Sequence, residues 1–298
     1  MTAGKPLVSA IVVNWNTRDL LVDCLRAFYA CSDVPAEAVV VDNASTDGSV
    51  ETVAREFPEA KLIRQRANVG FGRANNAGLQ VAEGRFILLM NPDVTVMPGC
   101  VGRLADFLLV RPDAGAVGPR LQRPDGLLDE TARRGFPSPG ASFFHFTGLG
   151  KVFPGNERLN RYSMGHVAAT DMHEIDAGTA ACLMFRRGAI DRVGFFDRDY
   201  FMYGEDLDLC FRLKSGGWKV FYLPSARAVH AKVTSAQQTP RMLWEFHRAM
   251  WTFHHKHYAA DLPAFANGLV WAGIWGRWAV KAGRAAMSQN GSHPQPRR

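Results

Sequence analysis

Cysteine is scarce in this sequence: five among 298 residues, at positions 24, 31, 100, 182 and 210, with no C-x-x-C pair. An odd, scattered set excludes a disulfide framework and a zinc ribbon, and fits thiols buried in a reducing compartment. Long hydrophobic runs are also missing. The longest mainly apolar stretch without charge, Leu262–Gly276, falls short of the roughly 18–20 residues of a spanning helix. The chain opens on an apolar strand without signal-peptide architecture. No G-x-G-x-x-G follows the first strand, which argues against an NAD enzyme. His247, His254, His255 and His257 lack H-E-x-x-H spacing and read as surface or packing residues. There is no internal repeat. The surplus of 35 Lys+Arg over 28 Asp+Glu gives a formal charge of +7, and the basic residues are scattered. Nucleic acid is therefore not an expected partner. With 47% hydrophobic and 21% charged residues, the composition is that of a folded globular chain.

What is present is a rhythm. Val8–Val13 is a near-continuous apolar run, as in a strand buried on both faces. A helix pattern follows over Asp19–Tyr29, a strand over Ala38–Val41, then a helix to about Phe57 capped by Ser45, Thr46 or Asp47. Lys61–Arg64, Arg85–Met90 and Ala114–Pro119 read as strands, with helices over Gly72–Ala82 and Val101–Val110 between them. This predicts an α/β fold with a mostly parallel central sheet flanked by helices. Arg120–Glu174 is rich in Gly, Pro and aromatics and reads as an irregular insertion. Regularity returns with a strand at Gly178–Phe185, helices at Arg186–Val193 and Asp206–Ser215, and strands at Trp218–Leu223 and Ala226–His230. Two C-terminal helices follow, Arg241–His257 and Leu262–Met287. Residues 288–298 read as a disordered polar tail.

Ligands of open α/β sheets bind beyond the carboxyl ends of the strands. Polar residues stand there four times: Asn14-Trp15-Asn16, Asp42-Asn43, Asn68-Val69-Gly70-Phe71 and Asn91-Pro92-Asp93. Each alone is an ordinary turn signal; the set points to one rim. Asp93 is either a turn carboxylate or a ligand for a hard divalent cation. Gly70, Gly72 and Arg73 open a helix and suit phosphate oxygens. Glu205, Asp206 and Asp208 are either dipole-stabilised acids at a helix start or include a general base. His230, ending an apolar strand, is structural or a metal ligand through neutral imidazole.

The motifs together resemble the family 2 inverting glycosyltransferases. They are Val8-Ser9-Ala10-Ile11-Val12-Val13-Asn14-Trp15-Asn16, Val41-Asp42-Asn43-Ala44-Ser45-Thr46-Asp47-Gly48-Ser49, Asn68–Gly78, Asn91-Pro92-Asp93, Phe201–Arg212 and Pro224…His230, in that order. Phe201-Met202-Tyr203-Gly204-Glu205-Asp206-Leu207-Asp208-Leu209-Cys210 and Asp125-Gly126…Phe136-Pro137-Ser138 look most like the rhamnosyltransferase-like branch. The resemblance implies a GT-A fold, a nucleotide-diphosphate sugar donor (dTDP-rhamnose first, a UDP-sugar second) and Mg²⁺ or Mn²⁺. By the same token Asp42 would contact the pyrimidine beside Asn14, Trp15 and Asn16. Asn68, Arg73, Asn76 and Asn91 would line the diphosphate and sugar, Asp93 and His230 would hold the metal, and Asp206 would be the base. Asn91 departs from the family, which carries the first Asp of D-x-D there, so the metal would rest mainly on Asp93, His230 and the diphosphate. Residues 1–240 would be the catalytic domain, with 1–119 the nucleotide half and 120–240 the acceptor half. A glycan or polyprenyl-linked acceptor, and a cytoplasmic or peripheral inner-membrane location, complete the expectation. Within the family the competing donor class is UDP-galactofuranose or a UDP-N-acetylhexosamine; outside it, the alternative is a non-catalytic nucleotide-sugar-binding or scaffold protein.

In 241–287, Trp271, Trp275 and Trp278 recur at i, i+4, i+7, and Arg277, Lys281 and Arg284 form a second stripe. Two readings fit: helices packed on the protein with a solvated basic face, or a helix in a membrane interface.

Overall fold

The first strand, β1 (Val8–Asn14), is buried at every position, as its unbroken apolar run requires of a strand covered on both faces. The computed structural model describes residues 4–142, 152–153, 155–232 and 239–290. Residues 143–151 and 154 of the expected insertion, and 291–298 of the expected tail, lie outside the described residues. β1 pairs in parallel with β2 (Ala36–Asp42) on one side and β4 (Phe86–Met90) on the other, and β2 pairs in parallel with β3 (Lys61–Arg64). The crossovers are α1 (Arg18–Cys31), α2 (Ser49–Glu56) and α3 (Phe71–Val81). α3 lies against β1 and β2; a Cβ on Gly78 would stand 2.6 Å from Ile11 Cγ2, so only glycine permits that approach.

Beyond β4 the pairing changes. β8 (Cys182–Arg186) runs antiparallel to β4 and to β6 (Ala114–Gln122), and β6 pairs in parallel with β9 (Lys219–His230). β5 (Val94–Val96) and β7 (His173–Ile175) pair antiparallel with β9. The path is β3-β2-β1-β4-β8-β6-β9-β5, with β7 on β9. α4 (Cys100–Val110) packs on β6 and β9; α5 (Arg187–Val193) and α6 (Glu205–Ser215) follow β8.

Several local expectations change. The cap of α2 is Gly48, with φ +82, rather than Ser45, Thr46 or Asp47. Asp47 still serves the helix start, since its Oδ1 accepts from Ser49 N at 3.1 Å. The two strands expected over Trp218–His230 are one strand whose register jumps from Pro119↔Leu223 to Arg120↔Arg227. Pro224, which has no N–H to give the ladder, falls in that jump. β5 and β7 are too short to show a period of two. Arg120–Gln122 belong to β6. The irregular segment after β6 is tied down by distant donors instead: Arg133 to Val167 O (2.6 Å), Arg120 and Tyr222 to Ala169 O (3.1 and 3.0 Å).

The chain divides into two compact units, Met1–Phe201 with Glu205–Val233, and Met202–Gly204 with Thr234–Arg298. The second is built on α7 (Pro240–His257) and α8 (Ala264–Asn290). Thr239 caps α7 by accepting from Met242 N at 3.2 Å. Asn267 joins the helices: its Oδ1 accepts from buried His254 Nε2 at 2.8 Å, and its Nδ2 donates to Ala259 O at 2.9 Å. Trp275 packs edge-on to Trp244, with centroids 5.2 Å apart. Trp275 and Trp278 are half-buried while Trp271 is exposed, so the tryptophan stripe is not one open face.

At Gly70 an added Cβ would lie 2.3 Å from Phe201 O, and φ is +88°. Gly70→Ala is expected to destabilise the chain by about 1–3 kcal/mol or more, read as a lower midpoint of urea unfolding. An unchanged midpoint would mean that the contact with Phe201 is not made.

Candidate active site

The registers put the carboxyl ends of β1, β2 and β4 on one edge of the sheet: Asn14 stands opposite Asp42, and Val12 opposite Met90. Because β8 is antiparallel to β4, its first residues arrive at that same edge, and Asn91 N donates to Ala181 O at 2.9 Å. This is the point where the strand order reverses, and a crevice forms there in open α/β sheets.

On the β1–β2 side the loops are zipped together. Asn14 is fully buried; its Nδ2 donates to Asp42 Oδ1 and to Ser45 Oγ, both at 3.0 Å, and its Oδ1 accepts from Thr17 at 2.7 Å. Asp42 Oδ2 accepts from Ser45 N at 2.9 Å. Asn16, in the left-handed region at φ +53°, accepts from Thr46 N at 2.8 Å. Asn14 is thus a brace between two loops, with both N–H donors of its amide committed. Trp15, 49% exposed, presents the open ring of the segment.

The β3–α3 turn is held similarly. Asn43 Oδ1 accepts from Val69 N (2.9 Å), and Asn68 Oδ1 accepts from Asn43 Nδ2 (2.9 Å) and Gly70 N (3.0 Å). Asn68 therefore shapes the turn. Asn76 is also a structural clamp: its Nδ2 donates to Phe196 O at 2.8 Å and its Oδ1 accepts from Phe196 N at 3.1 Å. Those two bonds use one of its two N–H donors and one of its two acceptor sites, and fix the amide where α3 meets Phe196. Arg73 is exposed and donates to Arg198 O at 3.1 Å.

The second cluster forms where β4 meets β5. Asn91, Pro92 and Asp93 make a tight turn closed by Val94 N donating to Asn91 O at 3.1 Å. β5 pairs with β9 so that Val94 faces His230, and Ala231 N donates to Asp93 O at 2.9 Å. His230 Nε2 lies 3.4 Å from Asp93 Oδ1, and its Nδ1 lies 2.8 Å from Asp129 Oδ2. Asp129 is buried and also accepts from Lys232 Nζ (2.7 Å) and Thr131 (2.7 and 3.0 Å). Burial alone would raise the Asp129 carboxyl; His230 and Lys232 reverse that and hold it well below the usual carboxylate range. An ionised Asp129 accepts only, so Nδ1 of His230 carries a proton toward it; without a metal Nε2 is protonated too and faces Asp93, and a cation bound at Nε2 would displace that second proton. Burial would lower His230, but the bonds to Asp129 and Asp93 outweigh it and raise it to about 9.

That donor set suits a divalent ion of the Mg²⁺ or Mn²⁺ kind: a carboxylate, an imidazole oriented by a second carboxylate, and a neighbouring amide oxygen. Asn91 Oδ1 is buried with no hydrogen-bond partner, a desolvated oxygen that a cation or donor at the rim would satisfy. Among the described residues no group of three or more His, Cys, Asp or Glu could hold a metal by itself. Asp93 and His230 would then need oxygens from a ligand or water to complete the shell.

The acidic stretch at the start of α6 reaches the same edge. Asp206 Oδ2 accepts from Arg134 Nη2 at 2.6 Å and from Ala180 N at 3.4 Å, next to the residue bonded to Asn91. Arg134 also donates to Gly178 O at 3.1 Å. Burial would lower the Arg134 guanidinium, and Asp206 more than offsets this and raises it. Glu205 is buried with Oε2 unpartnered; burial first, and Asp206 beside it, push it up to about 8. Asp208 pairs with Arg212 at 2.8 Å, and Arg212 donates to the carbonyls of Val193, Gly194 and Phe195. Asp208 therefore belongs to the scaffold.

Asp129, Arg134 and Lys232 went unread in the sequence. Asp129 carries a weak signal, an Asp two residues before a Thr it caps. Arg134 has none, because its partner is 72 positions away.

The family description Glycosyl transferase family 2 matches residues 9–194. An N-acetylglucosaminyl-diphospho-decaprenol L-rhamnosyltransferase of Mycobacterium tuberculosis is 32% identical over 251 residues, 80% of each chain. The low-salt glycan biosynthesis hexosyltransferase Agl10 of Haloferax volcanii is 22% identical, over 75% of this chain and 66% of that one. Among solved structures, the mannosyltransferase PcManGT from Pyrobaculum calidifontis, in complex with GDP-Man and Mn²⁺, aligns with a TM-score of 0.58 at 19% identity over 98% of this chain and 77% of that one. GalNAc-T7 with UDP, GalNAc and Mn²⁺ aligns with a TM-score of 0.60 at 14% identity; the match covers 87% of this chain and 52% of that one.

In chelator-treated protein, His230 is expected to titrate near 9 by NMR, against 6.5 for the ordinary group. A folded value above the unfolded one stabilises fully below pH 6.5, and the contribution is lost as pH rises through about 9. Asp129→Asn should bring His230 down toward its ordinary value. A value near 6.5 in the intact chain would remove the ion pair.

Proposed function

The chain belongs to glycosyl transferase family 2, as a rhamnosyltransferase-like enzyme of GT-A fold, and from that premise we propose that it transfers L-rhamnose from dTDP-rhamnose to a hydroxyl of a lipid-linked glycan acceptor. The product would enter cell-surface polysaccharide, as the name of the mycobacterial relative suggests. The observation that carries the reading is the meeting of Asp93, His230 and Asp206 on one edge, linked through Asn91, Ala181 and Ala180. The reading makes the enzyme cytoplasmic and peripheral on the inner membrane face, in keeping with the lack, among the described residues, of a helix long and apolar enough to cross a membrane.

The chemistry divides among residues as their environments do. Asp93 and His230 would hold Mg²⁺ or Mn²⁺, which when bound neutralises charge developing on the departing diphosphate. Trp15 offers its exposed face to the base, with Asp42 and Asn16 holding the loops that present it. Arg73 and the amides at the start of α3 face the phosphate side. Asp206 takes the proton of the acceptor hydroxyl as its oxygen attacks the anomeric carbon from the face opposite the diphosphate, which inverts configuration. Arg134 keeps Asp206 oriented. Glu205, raised to about 8 by burial and by Asp206 beside it, holds its proton at neutral pH and does not compete for the role.

Asp206→Asn is expected to lower turnover by about 10²–10⁴-fold while nucleotide binding persists, and Glu205→Gln to keep most of the rate. The reverse ranking would exchange the two roles. Calorimetry with dTDP, UDP, GDP and CDP, each with and without Mn²⁺ or Mg²⁺, tests donor and metal together. Metal-dependent dTDP binding, lost in Asp93→Ala, is expected. A UDP preference would keep the family and change the sugar, and no binding to any of the four would overturn the catalytic reading.

A further inference from the structure

Among the described residues of the second unit, α8 has an apolar face left exposed. Phe265, Leu269, Ala272, Gly276, Val280 and Met287 recur at helical spacing and fall on one side. Phe265 is 74% exposed, Leu269 69%, Val280 56% and Met287 70%. A Cβ added at Gly268, Gly273, Gly276 or Gly283 would meet nothing within 4 Å. The opposite side is engaged: Ile274 is buried and Trp275 packs on Trp244. An apolar strip of that length, about 33 Å at 1.5 Å per residue, is unusual on a surface open to water.

The charge around the strip says what kind of surface covers it. From Leu262 to the end of the chain there is no Asp or Glu, while Arg277, Lys281 and Arg284 lie at helical spacing along one flank of the apolar face. Trp271, half exposed, falls between Ile274 and Trp275 on the engaged side of the helix. An apolar face bordered by a cationic flank, with no acid near, is the pattern of a helix lying in the plane of a bilayer surface, its cations at the headgroups. The helix is not apolar enough to cross, so it lies on the surface rather than spans it.

We propose that the Phe265–Met287 face of α8 is a docking surface for an anionic lipid bilayer. This deepens the reading of a lipid-linked acceptor, and rests on that reading only for its purpose: a chain held at the surface meets an acceptor confined there. The face differs from the tryptophan stripe expected from sequence, because Trp275 and Trp278 are turned partly into the helical pair and the small and aliphatic residues are left outside.

The test is flotation of the full chain with vesicles of phosphatidylcholine alone or mixed with phosphatidylglycerol. Binding to the mixed vesicles is expected, at least about tenfold tighter than to phosphatidylcholine alone. Phe265→Ser with Leu269→Ser should cut it at least tenfold, and Lys281→Glu with Arg284→Glu should abolish the preference for anionic lipid. The substituted side chains are exposed, so unchanged circular dichroism and melting are expected. Failure of the intact chain to float, or flotation of Phe265→Ser/Leu269→Ser equal to the parent, would overturn the proposal. So would a dimer in sedimentation equilibrium that these substitutions dissolve, since the face would then belong to a second copy. Nucleotide calorimetry on the same samples keeps the two readings apart: a chain that binds dTDP and metal but does not float fails only here, and one that floats without binding nucleotide fails only as a transferase.

Discussion

β4 has a parallel neighbour on one side and an antiparallel neighbour on the other, and most of the candidate site follows from that change of direction. A strand buried on both faces must hand its backbone groups to partners along its whole length, so the chain can leave the sheet only at its ends. With β1 and β2 parallel to β4, three carboxyl ends open on one edge. With β8 antiparallel, its amino end comes to that edge too and brings the segment that touches Asp206. Had β8 been parallel, Asp206 and Asp93 would be drawn toward opposite edges.

The polar residues on that edge fall into two kinds. Asn14, Asp42, Asn43, Asn68 and Asn76 spend their hydrogen bonds on one another or on backbone, and so fix loops that have no secondary structure of their own. Trp15, Arg73, Asn91 and Asp93 stand outside that web or at its margin. Buried amides in a satisfied network are rigid, and rigidity at a rim is what lets a few residues keep a fixed geometry toward a ligand. His230 illustrates the same division: one ring nitrogen belongs to Asp129 and the scaffold, and the other faces Asp93.

The second unit follows a different logic. α7 and α8 are held to each other by Asn267, His254 and the edge-on pair of Trp244 and Trp275, and the outer side of α8 is exposed among the described residues. In the first unit the hydrophobic pattern is consumed largely by the sheet and its helices; in the second a large part of it remains exposed on α8, with Arg277, Lys281 and Arg284 along one flank.

The sequence by itself determined the alternation of strands and helices in the first half, the order of the strand-end motifs, and the family they resemble. Those signals are local: a buried parallel strand must be continuously apolar, and its terminal turn must be made by Asn, Asp or Gly. Asp93, His230 and Asp206 were legible as candidates for the same reason. Tertiary structure alone decided which polar groups are spent. Nothing near Asn76 marks it as a clamp on Phe196, and nothing near Arg134 or Asp129 marks them as partners of Asp206 and His230, because those hydrogen bonds join positions 72 to 120 residues apart. The open face of α8 was hidden likewise: helical spacing gives the stripes of a helix, but only the neighbour against which it packs decides which stripe is left to face outward.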